Sequence, residues 1–466
     1  MRLVAIGGSD AGISAALRAR ELDPSCDVTV VVADAYPNFS ICGIPYYVSG
    51  EVGHWRNLAH RTYADLEATG IRLRLDTLAT AIDVGARKLA VRQPDGTEAV
   101  LDYDELVIGT GALPVRPPIA GLDLLGPDDG VHLLHSMGDT FALTRTLDRL
   151  PGGSRALIVG AGYVGLEMAE GLTVRGIHVT QLEMLPEVLP TVDPELGSLI
   201  HAELVRNGVD VHTNTTATRI RRDDSGRLHV AASGPDDAAL SWQADVVLVV
   251  VGVRPDADLL VRAGAKTGVR GAVEVDESMA TGLPHVWAAG DCVVTHHRLL
   301  GVTYLPLGTT AHKQGRVAGE NALGGFARFA GSLGTQVVKV FDLVAARTGL
   351  REREAATAGF RAATTQTTPD DHKAYYPGAK PISIRITGDL ETGRLLGAQL
   401  IGARGTETAK RVDTYATAIF HDMTVDAMSA LDLSYTPPLG SPWDAVQTAT
   451  QAWAREHQLD TQPARA

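Results

Sequence analysis

Two segments of this chain repeat one plan: an apolar strand, a glycine-rich turn, a helix, a second strand and an acidic residue. The first segment runs from Leu3 to Asp34 and the second from Ala156 to Glu183. Glycines in such a turn let the backbone close tightly and let a diphosphate reach the free N–H groups of the helix. Each segment therefore predicts a Rossmann-type dinucleotide-binding domain.

The second turn carries the complete spacing, with Gly160, Gly162 and Gly165. Glu183 follows about 20 residues later, where a carboxylate can accept a hydrogen bond from a ribose 2′-hydroxyl. A carboxylate repels a 2′-phosphate, and no arginine follows at 184–186. The second segment is therefore expected to bind NADH, with NADPH less favoured.

The first turn is imperfect, because Ser9 replaces the middle glycine. Support for a flavin site comes from Asp34 and from a later strand that ends in Gly290-Asp291, which could aim a carboxylate at a ribityl hydroxyl. Each acid also has a simpler interpretation, Asp34 as a turn residue and Asp291 as a helix N-cap. Together these features favour FAD.

Cys42 lies alone between the two turns, in the sequence Phe39-Ser40-Ile41-Cys42-Gly43-Ile44-Pro45. Gly43 and Pro45 suit a turn into a helix whose N-terminus would favour the thiolate. Three cysteines in 466 residues do not make a disulfide framework. We interpret Cys42 as a redox thiol and Cys26 and Cys292 as structural.

At this point the chain resembles the pyridine nucleotide-disulfide oxidoreductase family. The resemblance rests on both glycine turns and on the stretches 110–114, 289–291 and 306–311. It is closest to the single-cysteine branch, because position 47, where paired-cysteine members have their second cysteine, is tyrosine. The implied FAD-binding residues are Gly7, Gly8, Ser9, Ala11, Gly12, Asp34, Thr110, Gly111, Gly290, Asp291, Leu307, Gly308 and Thr309. The implied NADH-binding residues are Gly160, Gly162, Tyr163, Val164, Gly165, Glu167, Glu183 and Gly252.

The C-terminal region resembles the dimerisation domain of that family, in the stretches 410–413 and 433–438. The resemblance implies a homodimer in which Tyr435 and one of Tyr375 or Tyr376 reach the partner's redox cysteine. Packing of the dimer interface is the simpler role for these tyrosines.

The resemblance implies an FAD-dependent, NADH-consuming enzyme that reduces a low-molecular-weight disulfide or persulfide through Cys42. Coenzyme A disulfide is the foremost substrate. The alternative is an NADH oxidase or peroxidase that cycles Cys42 through sulfenic acid. Asp10 stands where peroxidases have histidine, which favours sulfur. Coenzyme A-specific members have several arginines on the following helix, whereas Glu21 accompanies Arg18 and Arg20 here.

The expected fold is α/β, with two Rossmann-like domains, one inserted in the other, and a C-terminal α+β domain. We place the FAD-binding domain at 1–113 and 244–328, the nicotinamide domain at 114–243 and the dimerisation domain at 329–466, with a frayed tail from Asp460. The net charge of −13 argues against nucleic acid. No membrane span, signal peptide or metal site is expected, so we predict a cytoplasmic protein.

Overall fold

The computed structural model describes residues 1–457; the predicted tail from Asp460 lies outside them. The chain divides into two compact units. Unit 1 comprises Met1–Pro117, His132–Asp148 and Val251–Ser332. Unit 2 comprises Pro118–Val131, Arg149–Val250 and the chain from Leu333 onward. Among the described residues, no helix combines the length and apolar character that a membrane crossing needs.

The first two thirds of the chain form two mainly parallel sheets and several small antiparallel ones, and the chain after Leu333 forms one further antiparallel sheet. The strands are β1 (Arg2–Ile6), β2 (Asp27–Val31), β3 (Ile71–Arg74), β4 (Leu78–Asp83), β5 (Lys88–Arg92), β6 (Glu98–Asp102), β7 (Glu105–Ile108), β8 (Ala112–Pro114), β9 (Val131–His132), β10 (Arg155–Val159), β11 (His178–Leu182), β12 (Asp210–His212), β13 (Thr216–Arg222), β14 (Leu228–Ser233), β15 (Ala239–Ala244), β16 (Val246–Val249), β17 (Val253–Pro255), β18 (Val286–Ala288), β19 (Thr295–His297), β20 (Gly301–Thr303), β21 (Gln336–Val340), β22 (Leu343–Gly349), β23 (Ala362–Thr367), β24 (Ile382–Asp389) and β25 (Leu395–Ala403).

The α-helices are α1 (Asp10–Leu22), α2 (Ile44–Ser49), α3 (Tyr63–Ala68), α4 (Met137–Leu147), α5 (Tyr163–Val174), α6 (Pro194–Arg206), α7 (Asp258–Arg262), α8 (Gly308–Ala322), α9 (Glu352–Thr357), α10 (Thr408–Phe420), α11 (Val425–Ser429) and α12 (Ala445–Glu456).

The central sheet of unit 1 has the strand order β18-β7-β1-β2-β3, and all its pairings are parallel. Helices α1 and α8 pack closely against each other because glycines of α8 face the backbone of α1. A Cβ atom at Gly315 would stand 2.3 Å from the carbonyl oxygen of Ala11, and one at Gly319 would stand 2.3 Å from that of Ala15. The two helix N-termini are thereby fixed at the carboxyl edge of the sheet.

Unit 2 contains a second sheet with the order β12-β11-β10-β16-β9, and a separate antiparallel sheet β13-β14-β15. Strand β10 pairs in parallel with both β11 and β16. The glycine turn that follows β10 therefore lies at the carboxyl edge of a parallel sheet, as the first turn does in unit 1.

The chain from Leu333 onward forms an antiparallel sheet of order β21-β22-β25-β24-β23. Trp453 of α12 covers this sheet. Its ring lies where a Cβ atom at Gly388 would stand, and its indole N–H donates to the carbonyl oxygen of Ala363 at 2.9 Å. The predicted fold class, two Rossmann-like sheets with a C-terminal α+β domain, is confirmed.

Candidate active site

The first glycine turn joins β1 to α1 in a conformation that excludes side chains at its closing positions. Gly7 has φ +109°, and a Cβ atom there would stand 2.0 Å from the carbonyl oxygen of Gly109. A Cβ atom at Gly12 would stand 2.2 Å from the carbonyl oxygen of Gly7. Ser9 is the N-cap of α1, and its hydroxyl makes no capping hydrogen bond. The first N–H groups of α1 therefore stay available to a diphosphate.

Asp291 lies next to this turn, after β18. Burial and the nearby carboxylate of Asp10 raise the pKa of the Asp291 carboxyl to about 6. A carboxyl whose charge is disfavoured in this way is suited to accept a hydrogen bond from a ligand hydroxyl. Gly290, with φ +85°, donates its N–H to the side chain of Gln314 at 2.9 Å, which holds the loop against α8.

Helix α8 begins at Gly308, and its N-cap Leu307 makes no side-chain capping bond. Thr309 is exposed in the first turn of this helix. Thr110 follows β7, and its hydroxyl donates a hydrogen bond to the carbonyl oxygen of Asp256 at 2.6 Å. Asp34 is exposed after β2, and its carboxylate accepts the N–H of Tyr36 at 2.9 Å. Two uncapped helix starts and a half-buried carboxyl fit the FAD predicted from the sequence.

The three cysteines occupy different environments. Cys42 is exposed, in a short 3₁₀ turn (Ile41–Gly43) that leads into α2, so the predicted helix follows the thiol directly. Cys26 and Cys292 are buried. Burial raises the pKa of the Cys26 thiol, and it raises the pKa of the Cys292 thiol to about 11. Only Cys42 combines solvent access with a position before a helix.

The second glycine turn joins β10 to α5. Gly160 has φ +107°, and a Cβ atom at Gly165 would stand 2.2 Å from its carbonyl oxygen. Gly162 is the N-cap of α5, and a Cβ atom there would meet nothing within 4 Å. Val164 is 39% exposed in the first turn of α5. The open space beside Gly162 is where a diphosphate would lie.

Glu183 stands at the end of β11, where the sequence predicted an acid. Its carboxylate is 5% exposed and accepts the N–H groups of Ala161 at 2.8 Å and Leu185 at 2.9 Å. The side chain therefore also closes the second glycine turn, a role that the sequence did not indicate. Each carboxylate oxygen can accept a further bond, so the predicted contact with a ribose stays compatible with this geometry.

Tyr163 begins α5, and its hydroxyl accepts a hydrogen bond from Thr191 at 3.2 Å. Burial raises the pKa of this phenol. Glu167 lies half-buried one turn further along α5. Gly252, with φ +108°, is exposed, and its carbonyl oxygen accepts the N–H of Val115 at 2.9 Å.

The C-terminal tyrosines separate into two environments. Tyr435 and Tyr375 share a side-chain hydrogen bond, which raises the pKa of Tyr435. Tyr376 instead meets the ring of His372 edge-on, with centroids 5.8 Å apart. The structure brings Tyr375 to Tyr435 within one chain, and which of Tyr375 and Tyr376 reaches the partner's cysteine stays a prediction.

The arginines of α1 are occupied within the chain. Arg18 pairs with Glu320 at 2.5 Å and with Glu21 at 3.0 Å. Arg20 donates to the carbonyl oxygens of Thr69 at 2.9 Å and Cys26 at 2.8 Å. These contacts reduce what either guanidinium can offer to a substrate phosphate.

His312 is a residue near the first turn that the sequence analysis missed. Its Nε2 lies 3.2 Å from Oδ1 of Asp10, and its Nδ1 lies 2.9 Å from the hydroxyl of Ser14. The signal was weak, because 302 residues separate His312 from Asp10 and no local spacing connects them.

Comparison with known proteins identifies relatives along nearly the whole chain. Residues 1–315 match the family model described as pyridine nucleotide-disulphide oxidoreductase, and residues 335–446 match the dimerisation domain of that family. An NADH oxidase of Methanocaldococcus jannaschii is 32% identical over 97% of this chain and 98% of its own length. An NAD(P)H sulfur oxidoreductase (CoA-dependent) of Pyrococcus furiosus is 34% identical over 95% of this chain and 97% of its own length.

Among solved structures, an NAD-dependent persulfide reductase from A. fulgidus superposes with a TM-score of 0.91 and 37% identity. The match covers 98% of this chain and 83% of that protein.

Proposed function

Since the chain belongs to the pyridine nucleotide-disulphide oxidoreductase family, whose members use FAD and NAD(P)H, we propose that it reduces a low-molecular-weight persulfide or disulfide through Cys42. The observation that carries this proposal is the solitary exposed thiol, in a chain whose other two cysteines are buried. Without a second cysteine at hand, the other sulfur of the reaction has to come from the substrate.

In the proposed reaction, the thiolate of Cys42 attacks the outer sulfur of a persulfide. The bond between the two substrate sulfurs breaks, the thiolate RS⁻ leaves, and Cys42 carries the transferred sulfur. Two electrons from NAD(P)H then release that sulfur as HS⁻ and restore the Cys42 thiolate. Bound FAD supplies the carrier for these two electrons. With a disulfide, Cys42 forms a mixed disulfide, and the same two electrons release the second thiolate.

Persulfides are the substrate class that we favour. The two relatives named for sulfur or persulfide reduction are 34% and 37% identical to this chain. Coenzyme A, as the thiol that carries the sulfur, is the finer part of the proposal. Because Arg18 and Arg20 are held by Glu320 and by backbone carbonyls, phosphate recognition would fall to other cations. Arg61, which is exposed, is the candidate.

The proposed residues for the nicotinamide cofactor are those of the second turn together with Glu183. The buried carboxylate of Glu183 opposes a 2′-phosphate by charge. Met184, which follows it, is 65% exposed and offers no cation. We therefore propose a preference for NADH.

A homodimer is the proposed assembly, with Tyr375 and Tyr435 directed to the partner's redox site. Large apolar side chains that follow Tyr435 in the sequence are exposed in the single chain: Leu439 by 76% and Trp443 by 56%. Exposure of this kind is typical of a surface that a partner covers. The hydrogen-bonded pair of tyrosine hydroxyls could stabilise a departing thiolate.

Anaerobic reduction with NADH, followed by addition of one acceptor at a time, tests the proposal. Glutathione persulfide, coenzyme A persulfide, coenzyme A disulfide and hydrogen peroxide are the acceptors, and flavin absorbance reports reoxidation. We expect rapid reoxidation by a persulfide or disulfide in the wild-type protein. C42S should retain FAD and reduction by NADH but lose reoxidation by at least about 10³-fold.

C26A is the matched control, because it removes a cysteine that is buried away from solvent. It should reoxidise like the wild type. A C42S protein that still reduces persulfides at the normal rate would overturn the proposal.

An NADH oxidase is the second candidate, because the M. jannaschii relative carries that name at 32% identity. In that case peroxide or oxygen, and not sulfur, would reoxidise the protein. The intact mass of the purified chain would then show Cys42 as a sulfenic or sulfinic acid.

A further inference from the structure

Three side chains from distant parts of the sequence meet beside the first glycine turn in unit 1. Asp10 begins α1, His312 lies in α8, and His60 follows the stretch that pairs with the segment before Cys42. One ligand atom from each of the three side chains lies within 4.8 Å of the other two. We call these residues the Asp10–His60–His312 cluster.

The distance between Asp10 and His312 matches that between two ligands of a tetrahedral metal ion, and His60 lies within 4.8 Å of both. Bonds of about 2.0–2.1 Å to nitrogen and oxygen, at tetrahedral angles, place neighbouring ligand atoms about 3.3 Å apart. Oδ1 of Asp10 and Nε2 of His312 are 3.2 Å apart. The ring centroids of His60 and His312 are 6.1 Å apart, with planes at 77°.

A second layer already orients the imidazole of His312. The hydroxyl of Ser14 lies 2.9 Å from Nδ1, so Nε2 is the nitrogen turned to Asp10. An outer hydrogen bond of this kind is the usual support of a metal-binding histidine. Ser14 and Asp10 belong to the same helix, which packs on α8 through Gly315 and Gly319. Two of the three ligands therefore stand on rigid, closely packed elements.

The third ligand stands on a segment that is tied to the redox thiol. The backbone N–H of His60 donates to the carbonyl oxygen of Asn38 at 2.9 Å, and that of Ser40 donates to Leu58 at 2.8 Å. Phe39 and Ala59 form an antiparallel bridge between these stretches. A metal ion bound by His60 would thus join the chain just before Cys42 to α1 and α8.

We propose that Asp10, His60 and His312 bind a divalent transition-metal ion, with Zn²⁺ as the reference ion and solvent as the fourth ligand. Two imidazoles and one carboxylate suit Zn²⁺, and three protein ligands leave an open position. The ion would clamp three segments that lie far apart in the sequence. Arg61 and Lys313 place positive charge near His312, whereas Asp291 places negative charge near Asp10. Charges of both signs therefore surround the cluster.

The test is calorimetric titration of Zn²⁺ into the FAD-containing protein without a histidine tag. The titrated protein is C42S, because the thiolate of Cys42 is itself a zinc ligand. We expect one ion per chain, and H60N and H312N in the C42S background should each weaken binding by at least about tenfold. H178N is the matched control, because His178 is an exposed histidine at the start of β11.

Thermal unfolding gives a second measurement that does not depend on enzymatic turnover. Zn²⁺ at about 100 times its dissociation constant should raise the Tm of the FAD-containing unit by about 5–10 °C. H60N, which changes an exposed side chain, should fold normally and lose this increase. The proposal is overturned if C42S binds no stoichiometric Zn²⁺, or if H60N or H312N binds it as tightly as H178N does.

Discussion

The two glycine turns show which parts of a dinucleotide site the backbone dictates and which parts the ligand dictates. At the closing positions they are nearly identical. Gly7 and Gly160 have φ +109° and +107°. A Cβ atom at Gly12 or at Gly165 would stand 2.2 Å from the carbonyl oxygen of the first glycine in its turn. Only glycine satisfies this geometry, whichever cofactor binds.

The turns differ at the middle position and at the acid. Ser9 occupies the middle of the first turn, whereas Gly162 leaves open space in the second. Asp34 is exposed, whereas Glu183 is buried and accepts the backbone N–H of Ala161 in the glycine turn and that of Leu185 in the loop after β11. These positions are free to vary because they face the ligand or support the loop, and do not close the turn.

The largest expected effect comes from alanine at the closing glycines. In G12A and G165A the new methyl group meets a backbone oxygen, which cannot move without opening the turn. We expect each variant to lose at least about 3 kcal/mol of stability. G12A should be purified without FAD, whereas G165A should retain FAD and lose reduction by NADH.

Flavin absorbance, thermal unfolding and NADH titration distinguish the two outcomes. If G165A also loses its flavin, the two turns do not act as separate cofactor sites and the comparison between them fails.

A second effect concerns the base of the second turn and depends on pH. Arg347 donates to the carbonyl oxygen of Thr191 at 2.6 Å, and Thr191 holds Tyr163. Burial disfavours the charge of Glu354, but Arg347 and Arg351 outweigh it and lower the pKa of this carboxyl to about 2 from 4.5. Because the pKa is depressed on folding, the stabilisation is complete above about pH 4.5 and is lost as the pH falls towards 2.

We expect unit 2 to lose on the order of 2–3 kcal/mol over this range. E354Q should lower stability at pH 7 and flatten the pH profile, which urea unfolding at several pH values would show. An E354Q profile as steep as that of the wild type would rule out this carboxyl as the source.

Most of the fold followed from local pattern. The apolar run at 246–251 predicts a buried strand, and β16 occupies Val246–Val249. The apolar runs at 337–340 and 395–401 likewise predict strands, and they lie in β21 and β25. The apolar runs of β16 and β25 match strands that are buried along nearly their whole length, whereas β21 leaves Val337 50% exposed.

Contacts between distant segments were beyond the sequence. The backbone bonds of Glu183 and the pairing of Tyr375 with Tyr435 depend on how loops fold back, which no local spacing encodes. His312 meets Asp10 across 302 residues because α1 and α8 pack together. The first turn itself contains no histidine, but the imidazole of His312 lies beside it.

Glu183 gives a third, intermediate effect that sharpens the contrast between the two acids. E183A removes the acceptor of the buried N–H of Ala161 and of the N–H of Leu185, so we expect a loss of about 1–3 kcal/mol and a reduced preference for NADH over NADPH. E183Q keeps one acceptor oxygen and should be less destabilised.

D34A, which changes an exposed acid that accepts the N–H of Tyr36, should be nearly neutral for stability. Thermal unfolding and kcat/KM for both nucleotides measure these effects; an unchanged nucleotide preference in E183A would remove Glu183 from the ribose site.

The smallest effect on stability, and the most selective on binding, is expected at the middle positions. Gly162 has φ −78°, and a Cβ atom there would touch no protein atom, so G162A should change stability by less than about 0.5 kcal/mol. The same methyl group would occupy the space that a diphosphate needs, and KM for NADH should rise about tenfold or more.

S9A, at the equivalent position of the first turn, removes a hydroxyl that makes no capping bond and should leave FAD retention intact. Equal NADH affinity in G162A and the wild type would show that the diphosphate does not approach Gly162, and the open space beside this residue would then need another explanation.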